Sequence, residues 1–217
     1  AKLGLPATAA CLTQMSFSSL GKLSPQVAST AWVAPGAQVV GDVRLGEEVG
    51  VWFNCVLRGD DSYIEVGNCT NIQDLTMVHL DEGLPCVIGR NVSVGHACVI
   101  HGCTIGDDVL VGMGSVILNR ATIGRGSVIG AGAVVLEGMQ VPPFSLVVGS
   151  PAQVKKTYRE QDRLEAQRKH AAKYAAKAQR FRSDLLPTTP VTSSRLLFVL
   201  GLASTGALAV AACRRRI

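Results

Sequence analysis

Three histidines in this 217-residue chain carry a spacing that could do chemistry: His79, His96 and His101, out of four in all. His79 directly follows Val78, and His101 directly follows Ile100. Between those aliphatic residues lie three units, the first lengthened from six residues to ten by an insertion read as a loop at LDEGLP (80–85). If three units make one coil, the two imidazoles stack on one side, roughly 4.7–4.9 Å apart at the backbone. Imidazoles at that separation can share one metal ion through bonds of about 2.0–2.1 Å. His96 falls two residues after Val94, in the intervening unit, and therefore on another side of the coil. It is badly placed to join the pair within one chain. It is well placed to reach a neighbour's pair when three copies pack around a threefold axis. Three nitrogen ligands with an open fourth position mark catalytic rather than structural zinc. The plain alternative for any one of these rings is a hydrogen-bonded surface histidine or a lone catalytic base. Cys98 and Cys103 are softer ligands that compete for the same role, and His170 falls in a basic helix where it is solvated.

The elements that must hold these rings follow from the aliphatic pattern. From Ile105 the apolar positions advance by six without a slip: Ile105, Val111, Ile117, Ile123, Ile129, Val135, Val141, Val147. The same period appears at Ile88, Val94 and Ile100, with one residue missing before Ile105, at Val66, Ile72 and Val78, and more faintly at Ala37, Val43, Val49 and Cys55. A period of six fits neither an α-helix nor a strictly alternating strand. It fits a prism in which each hexad makes one flat side, the aliphatic residue points to the axis, and small residues turn the corners. The fold expected for residues 31–152 is an all-β solenoid, a left-handed parallel β-helix that stabilises itself coil by coil and assembles as a trimer. Two breaks in the period, LRGDDSYI at 57–64 and LDEGLP at 80–85, are expected to be loops.

Composition agrees. Hydrophobic residues make up 47% and aromatic residues 5%, with 23 glycines, which suits a repeat better than a helical bundle. Seven cysteines without disulfide-scaffold spacing indicate a reducing compartment, with Cys55, Cys69, Cys86, Cys98 and Cys103 read as core thiols. Much of the net charge of +5 lies after Lys155, so a basic C-terminal segment accounts for it, and no nucleic-acid-binding motif is present. The start at Ala1 rather than Met fits either removal of a presequence, as organelle import would produce, or a trimmed sequence. Residues 1–30 read as an N-terminal extension, in which LTQMSFSSLG could lie on a membrane or partner surface. Residues 153–186 read as a C-terminal α-helix, rich in Ala, Lys, Arg, Gln and Glu. A polar linker follows at 187–194, and then a hydrophobic tail at 195–217. Within that tail, 196–213 is uncharged and flanked by Arg195 and Arg214–Arg216. As a helix it is about 27 Å long, enough for most of a bilayer core of about 30 Å, so a membrane helix is expected.

The segments WFNCVLRGDD (52–61), TNIQDLTMVH (70–79), GHACVIHGCTIGDDVLVGMGSVI (95–117) and GSPA (149–152) resemble the γ-class carbonic anhydrases. The resemblance implies a trimer binding Zn2+, with Fe2+ or Co2+ as alternatives, that interconverts CO2 and bicarbonate. It implies that His79 and His101 come from one subunit and His96 from its neighbour. Arg58, Asn71, Gln73 and Asp74 match residues beside the metal. Gln73 is expected to hold the reacting water, and Arg58 to pair with Asp60 or Asp74 across the subunit boundary. Asp60 is expected as a structural interface residue. The chain departs from the archaeal pattern in having only a short loop after the first histidine, which leaves Asp61, Asp81 and Glu82 as candidate proton carriers. Together with the tail, the resemblance is nearest to the γ-carbonic anhydrase subunits of plant and algal complex I. That implies the matrix side of the mitochondrial inner membrane, contact with the complex I membrane arm and lipid, and a homotrimer or a mixture of related subunits. A structural assembly role with an idle metal site is the alternative it leaves open. A hexapeptide acyltransferase is a further alternative, because the same prism hosts enzymes that typically need one catalytic histidine.

Overall fold

The computed structural model describes residues 16–185. The predicted linker and membrane tail lie outside the described residues, as do residues 1–15. Among the described residues no helix is long and apolar enough to cross a membrane.

The chain winds into a parallel β-solenoid of about seven turns, closed by one C-terminal helix. Each coil contributes three short strands whose second residue points to the axis. Three inward columns result, among them Leu57, Val78, Ile100, Ile117 and Val135, all at 0% exposure. Each fully buried Val or Ile contributes about 1.5–3 kcal/mol, and the repetition of that gain coil after coil keeps the period so regular.

The corners differ from the expectation. The glycine that directly follows an inward residue does not make the turn. The left-handed residue is the third one after it, as at Asn54, Leu75, Ala97, Asp108 and Arg120, with φ of 57°, 65°, 55°, 59° and 59°. The glycine next to the inward residue is needed instead for close stacking. A Cβ on Gly112 would sit 2.4 Å from the backbone N of Ala131 in the next coil.

The prism presents three outer faces. The first consists of the strands from Trp32–Val33 to Ser145–Val148. It shows small residues to the outside at Gly50, Asn71 and Ser93, and the helix Glu160–Asp184 packs on it. The second shows an aliphatic ladder, with Val56 beside Met77, Met77 beside Val99, Val99 beside Val116, and Val116 beside Val134. The third shows Arg44, Glu65, Val87, Thr104, Thr122 and Gln140, a mostly polar column.

Four expected boundaries move. Strand pairing begins before residue 31, because Phe17–Ser18 and Gln26–Val27 pair with Gln38–Leu45; their segments carry only scattered aliphatic residues, such as Leu20 and Val27, and so gave no periodic signal. The break at 57–64 is no loop. Val56–Val66 is one continuous strand that bends from the second face to the third, and its extra residues are absorbed by a register shift against Gly41 and Val43. The loop after His79 is shorter than LDEGLP, since Leu80 is fully buried. Finally, the helix starts at Glu160, and Gln153–Thr157 is a strand antiparallel to Ser145–Val148. Its Lys-rich composition suggests helix, but the last coil leaves an open sheet edge, and pairing that edge satisfies backbone groups a helix would leave exposed.

The helix docks through Ala171, Ala175 and Ala178, with Phe181 and Tyr174 stacked against Trp52 at 5.3 and 5.8 Å. Asp108 ties it on. That side chain is 0% exposed and meets Arg168 of the helix at 3.1 Å and Arg125 at 3.2 Å. Burial pushes the Asp108 carboxyl up, but hydrogen bonds from Arg168 and Arg125 outweigh it and hold the group below its ordinary value. Asp108→Asn keeps a side chain that tolerates the left-handed corner. We expect it to cost about 1–3 kcal/mol at pH 7, since both guanidiniums are half-exposed and can turn to water. Because the folded pKa is depressed, this contribution is present above the unfolded value of about 3.9 and lost as pH falls through the folded one. Urea unfolding of variant and wild type should therefore converge in acid and separate at neutral pH.

Candidate metal centre

The aliphatic face is bounded by two edges, and the candidate residues divide between them. On the edge shared with the polar face, Leu57, Val78 and Ile100 occupy equivalent inward positions. The residues that follow them, Arg58, His79 and His101, therefore stack in successive coils. His79 and His101 are direct strand partners, and Nδ1 of His79 lies 3.0 Å from Nε2 of His101.

The outer nitrogens fix what the inner ones can do. Nε2 of His79 lies 3.0 Å from Oδ1 of Asp60, and Nδ1 of His101 lies 2.6 Å from Oδ1 of Asn119. Asn119 is itself oriented, because its Nδ2 donates to Oδ2 of Asp81 at 2.6 Å. A carboxylate and an amide oxygen can only accept, so each ring donates its N–H outward. Lone pairs are left on the two nitrogens that face each other. Two lone pairs at that distance repel unless a cation lies between them, and a carboxylate or carbonyl behind a ligating histidine is the usual support for a metal. A tetrahedral ion with bonds of about 2.0–2.1 Å asks for about 3.3 Å between nitrogens, a few tenths more than the pair now has. The donor set fits a divalent ion. Burial, then the Arg58 charge and His101, hold His79 below the ordinary imidazole value, so the ring is neutral and able to ligate.

On the other edge, shared with the helix-covered face, Asp74 and His96 stack one coil apart, with Nδ1 of His96 2.9 Å from Oδ2 of Asp74. Oδ1 of Asp74 accepts from the Phe53 backbone N–H at 3.3 Å. Gln73 and Asn71 lie just before Asp74. Both are buried, and Nε2 of Gln73 donates to Oδ1 of Asn71 at 3.1 Å. Among the described residues no three His, Cys, Asp or Glu side chains of one chain converge as a metal-binding group. His79 and His101 make a pair, and a third ligand has to arrive from elsewhere.

Several expectations are refined. Asp60, read as an interface residue, touches His79, and Arg58 pairs with Asp60 inside its own chain. Asp81 reaches the pair through Asn119, with its Oδ1 4.0 Å from His101. Asp61 and Glu82 are exposed and make no hydrogen bond to either ring. The competing thiols turn into the core. Cys98 donates to the Gly112 carbonyl at 3.1 Å, and Cys103 lies beside Cys86. Cys69 is only half-buried and bonds Glu48 rather than joining the core. Asn119 was missed by reasoning from the sequence. Its signal was available, since it lies two residues after Ile117, the strand partner of Ile100, and so stacks over the residue next to His101.

Residues 85–119 and 102–137 match the family described as bacterial transferase hexapeptide (six repeats). A carbonic anhydrase of Geobacillus kaustophilus is 41% identical over 145 residues, covering 67% of this chain and 80% of that one. Gamma carbonic anhydrase 2, mitochondrial, of Arabidopsis thaliana is 42% identical over 135 residues, covering 59% of this chain. The match spans about half, 49%, of that relative's length. A crystal structure of a hexapeptide transferase family protein from Anaplasma phagocytophilum superposes with a TM-score of 0.73 at 38% identity, covering 77% of this chain and 99% of that one. With its hexad solenoid and paired histidines, the chain belongs to the γ-class carbonic anhydrase family.

Proposed function

We propose that this protein is a zinc-dependent carbonic anhydrase that interconverts CO2 and bicarbonate at the subunit interfaces of a trimer of left-handed β-helices. The observation that carries this reading is the His79–His101 pair, whose inner nitrogens face each other at 3.0 Å while Asp60 and Asn119 hold the outer nitrogen of each ring. The aliphatic ladder supports the trimer. Met77 and Val99 are 41% and 37% exposed, and Leu75, Met113 and Leu136 at the face's margins are more exposed still. Contiguous apolar surface of that kind is rare on monomers and marks an interface. Packing three such faces around one axis would bring the His96 edge of one copy to the His79–His101 edge of the next.

A divalent ion held by His79, His101 and a neighbour's His96 would lower the pKa of water from 15.7 to about 7, which is the chemistry it would supply for attack on CO2. The chain's own residues do the rest. Asp60 and Asn119 hold the rings in the ligating tautomer, and Gln73 offers an amide to orient the reacting water. Asp81, exposed and linked to His101 through Asn119, carries the released proton toward solvent. Iron or cobalt suits the same three nitrogens. By its resemblance the trimer would sit on the matrix side of the mitochondrial inner membrane, in the complex I membrane arm, alone or with related subunits.

A second reading, an assembly subunit with little turnover, is favoured by one observation. The short loop between His79 and Cys86 supplies a single carboxylate, Asp81, that bonds toward the rings. The acyltransferase reading needs only one histidine and gives no account of a facing pair.

Elemental analysis of the purified assembly tests the proposal. About one zinc or iron ion per chain is expected, falling more than about tenfold in His96→Ala, together with CO2 hydration that tracks ion content. Ion without hydration favours the assembly reading. No ion under chelator-free conditions overturns the metal-dependent one.

A further inference from the structure

The C-terminal helix, which looks like a strut, reaches the candidate site through a buried chain of hydrogen bonds. Gln167 is 1% exposed and inserts its amide between two coils. Its Nε2 donates to the carbonyls of Asn91 at 2.9 Å and Val109 at 3.1 Å, and to Oγ of Ser93 at 3.3 Å. Behind it, Nη2 of the buried Arg163 donates to Oε1 of Gln167 at 3.2 Å. Ser93 is 0% exposed, and its Oγ also accepts from Nδ2 of Asn71 at 2.8 Å. Asn71 in turn accepts from Nε2 of Gln73 at 3.1 Å.

The chain has a direction. The backbone carbonyls of Asn91, Val109 and Val92 can only accept, and they face the amino groups of Gln167 and Asn71. That leaves the Asn71 oxygen for Gln73, so one N–H of the Gln73 amino group is committed inward. Its Oε1 is the remaining end, with no protein hydrogen-bond partner among the described residues. An amide held this way presents its Oε1 as an acceptor and keeps one N–H that can still donate.

We propose that Ser93 and Gln167 are positioning residues that fix the orientation of the Gln73 amide, and that the C-terminal helix thereby sets the geometry of the reacting centre. The inference rests on the carbonic anhydrase reading for its kinetic consequence but not for its structural one. Removing Gln167 frees one side of the Ser93 hydroxyl. Removing the hydroxyl leaves the Asn71 amino group with only the Val92 carbonyl, at 3.4 Å. Either change lets Asn71 turn, and Gln73 turns with it. A small error in the position of an orienting group is enough to cost roughly tenfold or more in rate.

The experiment compares Ser93→Ala and Gln167→Met with Arg168→Met, which loosens the helix at Asp108 without touching the chain of bonds. High-resolution crystal structures of the full assembly should show Gln73 in more than one orientation in the first two and in a single orientation in Arg168→Met. CO2 hydration should show kcat lowered roughly tenfold in the first two, with KM and bound metal unchanged. Arg168→Met should lower only Tm. Gln73 in its wild-type orientation in both relay variants, or an equal loss of kcat in Arg168→Met, overturns the proposal. If the wild type hydrates no CO2, the carbonic anhydrase reading fails, while the orientation of Gln73 still decides this one.

Discussion

Co-expressed His101→Ala and His96→Ala subunits should recover about a quarter of the wild-type metal content, although each variant alone holds almost none. His101 belongs to the edge that carries His79, and His96 to the opposite edge of the same face beside Asp74. In a trimer of either variant, every interface lacks a ligand. In a mixed trimer, one interface joins an intact His79–His101 pair from the His96→Ala subunit to an intact His96 from its neighbour. Random assembly makes about three quarters of the trimers mixed, each with one complete site of three. Counting ions per trimer by mass spectrometry or elemental analysis checks this. Three ligands meeting within one chain would give no recovery at all. A site without His96 would leave the His96→Ala subunit fully loaded.

The second large effect concerns assembly. Val99→Asp should convert the trimer to monomers. Val99 lies mid-ladder, paired with Met77 on one side and Val116 on the other, so a carboxylate there is desolvated on association with no cation opposite. An unpaired buried charge costs about 3–5 kcal/mol, and each copy carries one, so association weakens by at least about a thousandfold. Sedimentation at micromolar concentration reads the result. Thr104→Asp makes the same change at the equivalent hexad position of the polar face, beside Val87 and Thr122, and should leave the trimer intact. A trimer that survives Val99→Asp would remove the aliphatic face from the interface and, with it, the route by which His96 meets the pair. The metal should leave together with the assembly, whereas loss of Asp108 should loosen the helix and leave the ladder untouched.

The coil and the histidine register were legible in the sequence because both follow from counting. An inward residue is buried by the same neighbours in every coil, so the requirement repeats every six positions, and His79 and His101 inherit a fixed place in it. Counting fails where an edge or a bend decides. Gln153–Thr157 has helix-forming composition but closes the sheet's last edge as a strand, because the preceding coil leaves that edge without a partner. LRGDDSYI breaks the period yet stays in the sheet, because Gly41 and Gly59 let two long strands cross closely; a Cβ on Gly41 would sit 2.1 Å from the Gly59 carbonyl oxygen. Phe17–Ser18 pairs with Val39–Val40 without any aliphatic period of its own.

By itself, then, the sequence determined the hexad solenoid, its C-terminal helix and which histidines stack, since each depends on short-range repetition along one chain. Only the tertiary structure decided how those histidines are oriented. Asp60 bonds His79 from 19 residues away, and Asn119 bonds His101 from 18 away. Gln167 reaches Ser93 across 74 residues. Of these separations only the 18 between His101 and Asn119 is a multiple of six, and each bond depends on which rotamer a corner leaves open. A hydrogen bond is directional where burial is not, so the core could be read from residue type and spacing, while the orientation of each ring and amide awaited the folded chain.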